Sequence, residues 1–358
     1  MTMPRAVCLA ATAAILLLPA GAQAKSRTKT VDMGVPVSGQ KQFNDVGADV
    51  NDFFPHTTTI RAGGKVRFRP VGFHSVDIPK RGGSPLPLIT PTGKTIAGIN
   101  DAGGTPFWFN GQPELGFNPA LAVPLFGKHV TYRNKRVESG LPLGPNPKPF
   151  TVRFKKKGTY TYYCDVHAGM TGKIVVKRKH AHVPSAKQDR KRVKAQLRRD
   201  LKRAKGLAST VPAGNTIYTG NSAKGGVEFF GMLPAKKTVP VGTTVRFMMS
   251  PKSFEVHTAS FGPGNPETEP SSYLGMIAAS FEGAQLDQRG VYPSEKPPTV
   301  ANYSKSLHGN GFWTSGALDN NAQSPPPPAN VVRFTTPGTY DYYCLIHPFM
   351  HGQVVVTP

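Results

Sequence analysis

The chain has 358 residues, with 44 Lys and Arg against 20 Asp and Glu, a formal net charge of +24, and an unusual 38 Gly and 35 Pro. So much Gly and Pro calls for many turns, and helical periodicity is nearly absent outside one segment, so short alternating strands and an all-β sandwich architecture are expected. The charge does not point to nucleic acid, because the chain opens with what reads as an export signal.

In residues 1–24, Arg5 supplies the positive end, Val7 to Leu18 the apolar core, and Ala22-Gln23-Ala24 a small-residue cleavage site. The apolar run is short for a membrane span, and no later segment is apolar enough to cross one. A periplasmic or extracellular destination is expected after cleavage near Ala24. The remainder is long enough for two domains with separate cores. Residues 25–178 form the first, 179–210 a basic linker and 211–358 the second.

The first domain carries the stretch I-R-A-G-G-K-V-R-F-R-P-V-G-F-H-S-V-D-I, with a turn at Gly63-Gly64, Val66 and Phe68 on one face, and His74 beyond them. A long interval rich in Gly and Pro follows, with the aromatic cluster Phe107-Trp108-Phe109. It reads as a cover over the sandwich edge; the alternative is a docking lid beside the site. The domain ends in G-T-Y-T-Y-Y-C-D-V-H-A-G-M-T-G-K-I-V-V, which sets Cys164, His167 and Met170 in one short loop between strands.

Residues 177–205 hold thirteen Lys or Arg and two Asp. Val193, Leu197 and Leu201 fall at i, i+4 and i+8, so residues 186–204 are expected to form one basic helix with a narrow apolar stripe. It reads as a solvated linker, cut first by trypsin, with attraction to an anionic surface (lipid head groups, wall polymer or an acidic redox partner) as the alternative.

The second domain repeats the first. Gly242, Val245 and Phe247 precede His257 as the Gly63-Gly64 turn, Val66 and Phe68 precede His74, and a second long interval carries Phe312-Trp313. The final stretch, G-T-Y-D-Y-Y-C-L-I-H-P-F-M-H-G-Q-V-V-V, places Cys344, His347 and Met350 at the spacing of the first loop. A repeat this long is a duplicated domain. Once the signal is removed, the two remaining cysteines sit at the same position of each repeat, which reads as a pair of metal-ligating thiols and not as a disulfide.

A thiolate, an imidazole and a thioether in one loop suit copper, and Cys and His with a weak axial Met make up the type 1 copper set. His74 and His257 supply the second imidazole of each set. On these residues both halves resemble cupredoxins, the blue copper proteins, and the second loop is similar to that of amicyanin. The resemblance implies two Greek-key β-sandwiches, one copper held by His74, Cys164, His167 and Met170, and another by His257, Cys344, His347 and Met350.

One-electron transfer between Cu(II) and Cu(I) with an unidentified redox partner protein is the expected function. Copper storage or delivery keeps the same ligands. A two-domain copper oxidase or nitrite reductase is disfavoured. Those families place a His beside the blue-copper Cys, where this chain has Tyr163 and Asp165, and Tyr343 and Leu345. Its other histidines (His56, His129, His180, His182, His308 and His351) are scattered. Leu345, Ile346, Pro348 and Phe349 surround the second loop and Asp165 flanks the first. The second site is therefore expected to have the higher potential, and to collect electrons if the linker lets the sites approach.

Overall fold

Alternation of side chains builds both halves. Tyr160 and Tyr162 are buried in the strand Gly158–Tyr163, and Tyr340 and Tyr342 repeat this in Gly338–Tyr343. Period-two patterning leaves each sheet with one apolar face that a second sheet must cover. The computed structural model, which describes residues 28–122, 125–144, 146–283, 285–321 and 327–358, shows this twice. The expected export signal at 1–24 lies outside the described residues.

In the first half, one sheet runs Phe53–Phe54, Thr28–Met33, Lys65–Pro70, Phe150–Phe154, His129–Tyr132. The facing sheet runs Val137–Glu138, Asp77–Ile78, Gly158–Tyr163, Thr171–Lys177, Thr57–Arg61. Between them lies a core that includes Val31, Phe68, Phe150, Tyr162 and Ile174. The second half repeats the arrangement. Thr216–Ala223 pairs parallel with Thr244–Met248 as Thr28–Met33 does with Lys65–Pro70, and Lys236–Pro240 pairs parallel with His351–Thr357 as Thr57–Arg61 does with Thr171–Lys177. Its core includes Ile217, Phe247, Phe261, Trp313 and Tyr342. The all-β, cupredoxin-like sandwich architecture read from the sequence is what the chain adopts.

The halves are not beads on a string. The short strand Ala48–Val50, from the first half, pairs antiparallel with Val227–Leu233 and extends a sheet of the second half to six strands. The basic segment is a helix, Ala186–Ala204, opened by a capping box between Ser185 and Gln188. It is not the solvated tether expected. Val193, Leu197 and Leu201 pack on Val35, Phe43 and Phe54 of the first half and Val227 of the second. Gln196 is buried, donating to Asp52 Oδ2 at 2.8 Å and to the Phe53 carbonyl at 3.0 Å. Buried Asp200 is held by Arg199 and Arg203. A narrow stripe reads alike on a free helix and on one wedged between domains; only the partners distinguish them.

The two long intervals also meet. The hairpin of Ile89–Thr95 with Pro113–Phe117, and the aromatic cluster beside it, lie against the second half. Phe107 and Phe109 pack with Phe312 and with the helix Tyr273–Ala279, next to Leu345. Trp108 Nε1 donates to the Pro293 carbonyl at 2.8 Å. His308 sits between Asp101, at 3.1 Å, and Glu295, at 2.9 Å. The aromatic cluster of the first interval thus packs on residues of the other half.

Candidate metal centre

Each repeat brings its first His and its Cys-His loop together at one end of the sandwich. His74 lies just before the strand Asp77–Ile78, and His257 ends Val256–His257. The Cys follows the central tyrosine strand, where the chain turns back. The Cys164 N–H donates to the Met170 carbonyl at 3.0 Å and the Met170 N–H to the His167 carbonyl at 3.0 Å. Cys344, His347 and Met350 repeat both bonds at 2.9 and 2.8 Å. These two bonds fix a tight loop that carries three of the four candidate ligands.

In the first half Cys164 Sγ lies 3.9 Å from Nδ1 of His74 and 3.7 Å from Nδ1 of His167, and the two nitrogens are 3.0 Å apart. In the second the corresponding edges, from Cys344 to His257 and His347, are 3.8, 3.8 and 3.1 Å. A triangle with either set of edges has a point about 2.1 Å from all three corners, within the usual span of metal–nitrogen and metal–sulfur bonds. Soft sulfur with two imidazoles suits copper. Met170 and Met350 are both 1% exposed in the same cores. Six of the eight residues singled out in the sequence are thus gathered into two equivalent clusters of three, with Met170 and Met350 tied to the same loops by backbone bonds.

The surroundings favour a thiolate. Burial opposes ionisation of Cys164, but hydrogen bonding and charge from His167 and His74 more than reverse it and hold the thiol well below its ordinary value; Cys344 behaves alike with His257 and His347. Backbone N–H groups of Ser75 and Thr258 point at the two sulfurs, each at 3.4 Å. The outer edge of each first His rests on a glycine. A Cβ on Gly34 would come within 2.9 Å of His74 Nε2, and one on Gly220 within 2.7 Å of His257 Nε2. Neither glycine was singled out in the sequence, since both lie well ahead of the motif, Gly34 just after the strand Thr28–Met33 and Gly220 within Thr216–Ala223.

The clusters differ behind the sulfur. Asp165 meets Asp77 and Glu138 in an acidic trio, the two aspartates buried and Glu138 half-buried. Burial and the neighbouring Asp165 push Glu138 up to about 11 and Asp77 to about 7, the latter paired with Arg136. Burial also raises Asp165 itself. The full negative charge expected at Asp165 is therefore shared among groups that hold protons. The matching residue in the second half is Leu345, fully buried in the cluster of Phe107, Phe109, Leu274 and Phe312.

The other difference is what covers the loops. Phe349 is exposed beside His347, and Phe230 packs on both rings. The matching residue in the first half is Gly169, and the ring of Phe254, from the second half, occupies the space above it. The next residue, Glu255, is buried with an oxygen 3.3 Å from Nε2 of His167 and the other 3.9 Å from Nε2 of His347. Burial opposes its charge, but His167, then His347 and His257, hold its carboxyl far below the ordinary range. No motif or periodicity marks this residue.

Residues 136–177, which include Cys164, His167 and Met170, match the family model described as copper binding proteins of the plastocyanin/azurin family. Amicyanin-alpha of Methylorubrum extorquens is 40% identical over 61 residues, which are 16% of this chain and 51% of that protein; the chain thus spans about half the length of the curated relative it matches. Among solved structures, oxidised plastocyanin from Dryopteris crassirhizoma aligns at 21% identity and TM-score 0.21, covering 40% of this chain and 99% of its own. Amicyanin from Paracoccus versutus aligns at 19% and 0.22, covering 42% of this chain and 89% of its own. Scores this low do not bear on function. Residues 136–177, with the first ligand loop, are thus similar to the copper-binding plastocyanin/azurin family.

Proposed function

We propose that the protein is an exported one-electron carrier with two type 1 copper sites in tandem cupredoxin domains, one held by His74, Cys164, His167 and Met170 and the other by His257, Cys344, His347 and Met350. The observation that carries this reading is the pair of near-identical triangles of one sulfur and two imidazole nitrogens. Bound copper would supply the one-electron couple. The chain's residues supply the rest: a thiolate in place before metal arrives, imidazoles fixed by packing at their outer edges, and a loop pinned by two backbone bonds. A site this constrained changes little between oxidation states, which favours transfer over storage.

Enzymatic turnover is not part of the proposal. Next to the two cysteines stand Asp165 and Leu345, which carry no imidazole, and two of the remaining histidines are engaged elsewhere, His308 between Asp101 and Glu295 and His56 with Asp52. The outward face of the helix Ala186–Ala204 exposes Lys187, Lys191, Lys194, Arg198 and Lys202, and suits an acidic redox partner or another anionic surface.

Copper analysis and a visible spectrum test the reading. Two coppers per chain and strong thiolate-to-copper absorption are expected. Cys164→Ala and Cys344→Ala should each remove about half of the copper, and the double variant all of the colour. Full copper retained in either single variant overturns the assignment of that site.

A further inference from the structure

We propose that the two centres exchange electrons directly within one chain, through the carboxylate of Glu255. The inference rests on the reading of both centres as copper sites. Glu255 stands two residues ahead of His257, and its side chain leaves the second half to enter the first. Oε1 lies 3.3 Å from Nε2 of His167 and accepts from Asn51 Nδ2 at 2.7 Å. Oε2 lies 3.9 Å from Nε2 of His347, a contact longer than a hydrogen bond. Each of these rings turns Nδ1 toward its own cysteine and the opposite nitrogen toward the same carboxylate.

The arrangement sets the two ligand imidazoles close together. Even if all three groups lay in line, contacts of 3.3 and 3.9 Å on either side of one carboxylate would hold the two Nε2 atoms within about 10 Å. It also carries a cost. A carboxylate 6% exposed must be matched by polar partners, and an interface is commonly as stable with an apolar side chain in such a place. What the carboxylate adds is an outer partner for a ligand imidazole in each half. Partners of this kind orient the ring and tune the metal. Asn51 holds Glu255 from the first half, and Phe254, its neighbour, packs into the first core, so the bridge is fixed from both sides.

The step moves one electron and nothing else. With copper bound, the electron lost at one centre would be gained at the other, and no bond or proton would be transferred. His167 is 8% exposed, its outer edge given over to Glu255. An outside partner therefore meets the pair at the second half, where His347 lies beside exposed Phe349, and the first centre fills and empties through the bridge.

The test uses the full-length protein loaded with copper. Copper content and colour are measured first; fewer than two coppers per chain would sink the underlying reading before the bridge is addressed. A laser-flash-reduced flavin then delivers less than one electron per chain, and freeze-quench EPR follows redistribution between the two Cu(II) signals, assigned with the single-cysteine variants. We expect a first-order phase independent of protein concentration. In Glu255→Leu, with copper content, colour and both potentials measured on the same sample, that phase should slow by about tenfold or more. If the Leu variant fails to hold two coppers, the isosteric Glu255→Gln decides: its amide cannot accept from both rings, and its phase should be slower than that of the native protein. An unchanged first-order rate in the deciding variant, or native redistribution whose rate scales with protein concentration, would overturn the proposal.

Discussion

Gly169 is where the two halves press hardest on a ligand loop, and its replacement by Ala offers a quantitative probe. The residue has φ +110°, a conformation that disfavours a Cβ, and a Cβ there would lie 2.6, 2.8 and 2.9 Å from three carbons of the Phe254 ring. The backbone share costs about 1–2 kcal/mol and the overpacking about 1–3 kcal/mol, so Gly169→Ala should destabilise the protein by roughly 2–5 kcal/mol. Since His167 and Met170 flank the position, copper should also leave the first site more readily than the second. Phe254→Ala makes room for the new methyl. In a double-mutant cycle read by denaturant unfolding of the apoprotein, the pair should be coupled by about 1–3 kcal/mol, with the backbone share remaining. If Gly169→Ala lies within about 0.5 kcal/mol of the parent, or the two changes simply add, the ring does not bear on the loop and the proposed interface between the halves is wrong.

Other expectations can be checked alongside. Burial works against the charge on His308, but hydrogen bonds to Glu295 and Asp101 outweigh it and raise its pKa above 6.5. The clamp between the two inserts should therefore be fully present below pH 6.5 and lost as pH rises through the raised value. Thermal unfolding of the parent against His308→Leu, scanned over pH, reads this directly, and a gap that widens with rising pH contradicts it. Trypsin should cut slowly within the helix Ala186–Ala204, and Leu197→Ser, which spoils its packing on the Val35 and Phe43 cluster, should speed cleavage severalfold; equal rates would return the helix to a free linker. Asp165→Asn should raise the potential of the first site by less than the roughly 70 mV that a full unit charge at ~10 Å and an effective dielectric of ~20 would give, because Asp165 shares protons with Asp77 and Glu138. A redox titration showing a larger shift would place a full charge there.

What is local or repeated was legible in the residues alone. Tyr160 with Tyr162, and Tyr340 with Tyr342, announced strands through period two. The Cys, His and Met of each loop are close in space because they are close in sequence, and the recurrence of His74 and His257 in the same strand context identified the remaining imidazole. The basic helix was legible from three apolar residues four apart. What those elements touch was settled by the packing of the whole chain. The stripe of the helix says that something covers it, but not that the cover comes from both halves. Asp165 was visible beside Cys164, whereas its burial with Asp77 and Glu138 depends on two other strands, and that burial changes its charge. Glu255 follows a phenylalanine in a loop and has no periodic or motif signature. Its place between His167 and His347 arises from how the two sandwiches dock, through contacts between residues 88 and 92 positions away in the chain. Local pattern encodes which face of an element is apolar; which distant surface meets that face is set by the summed packing of both domains.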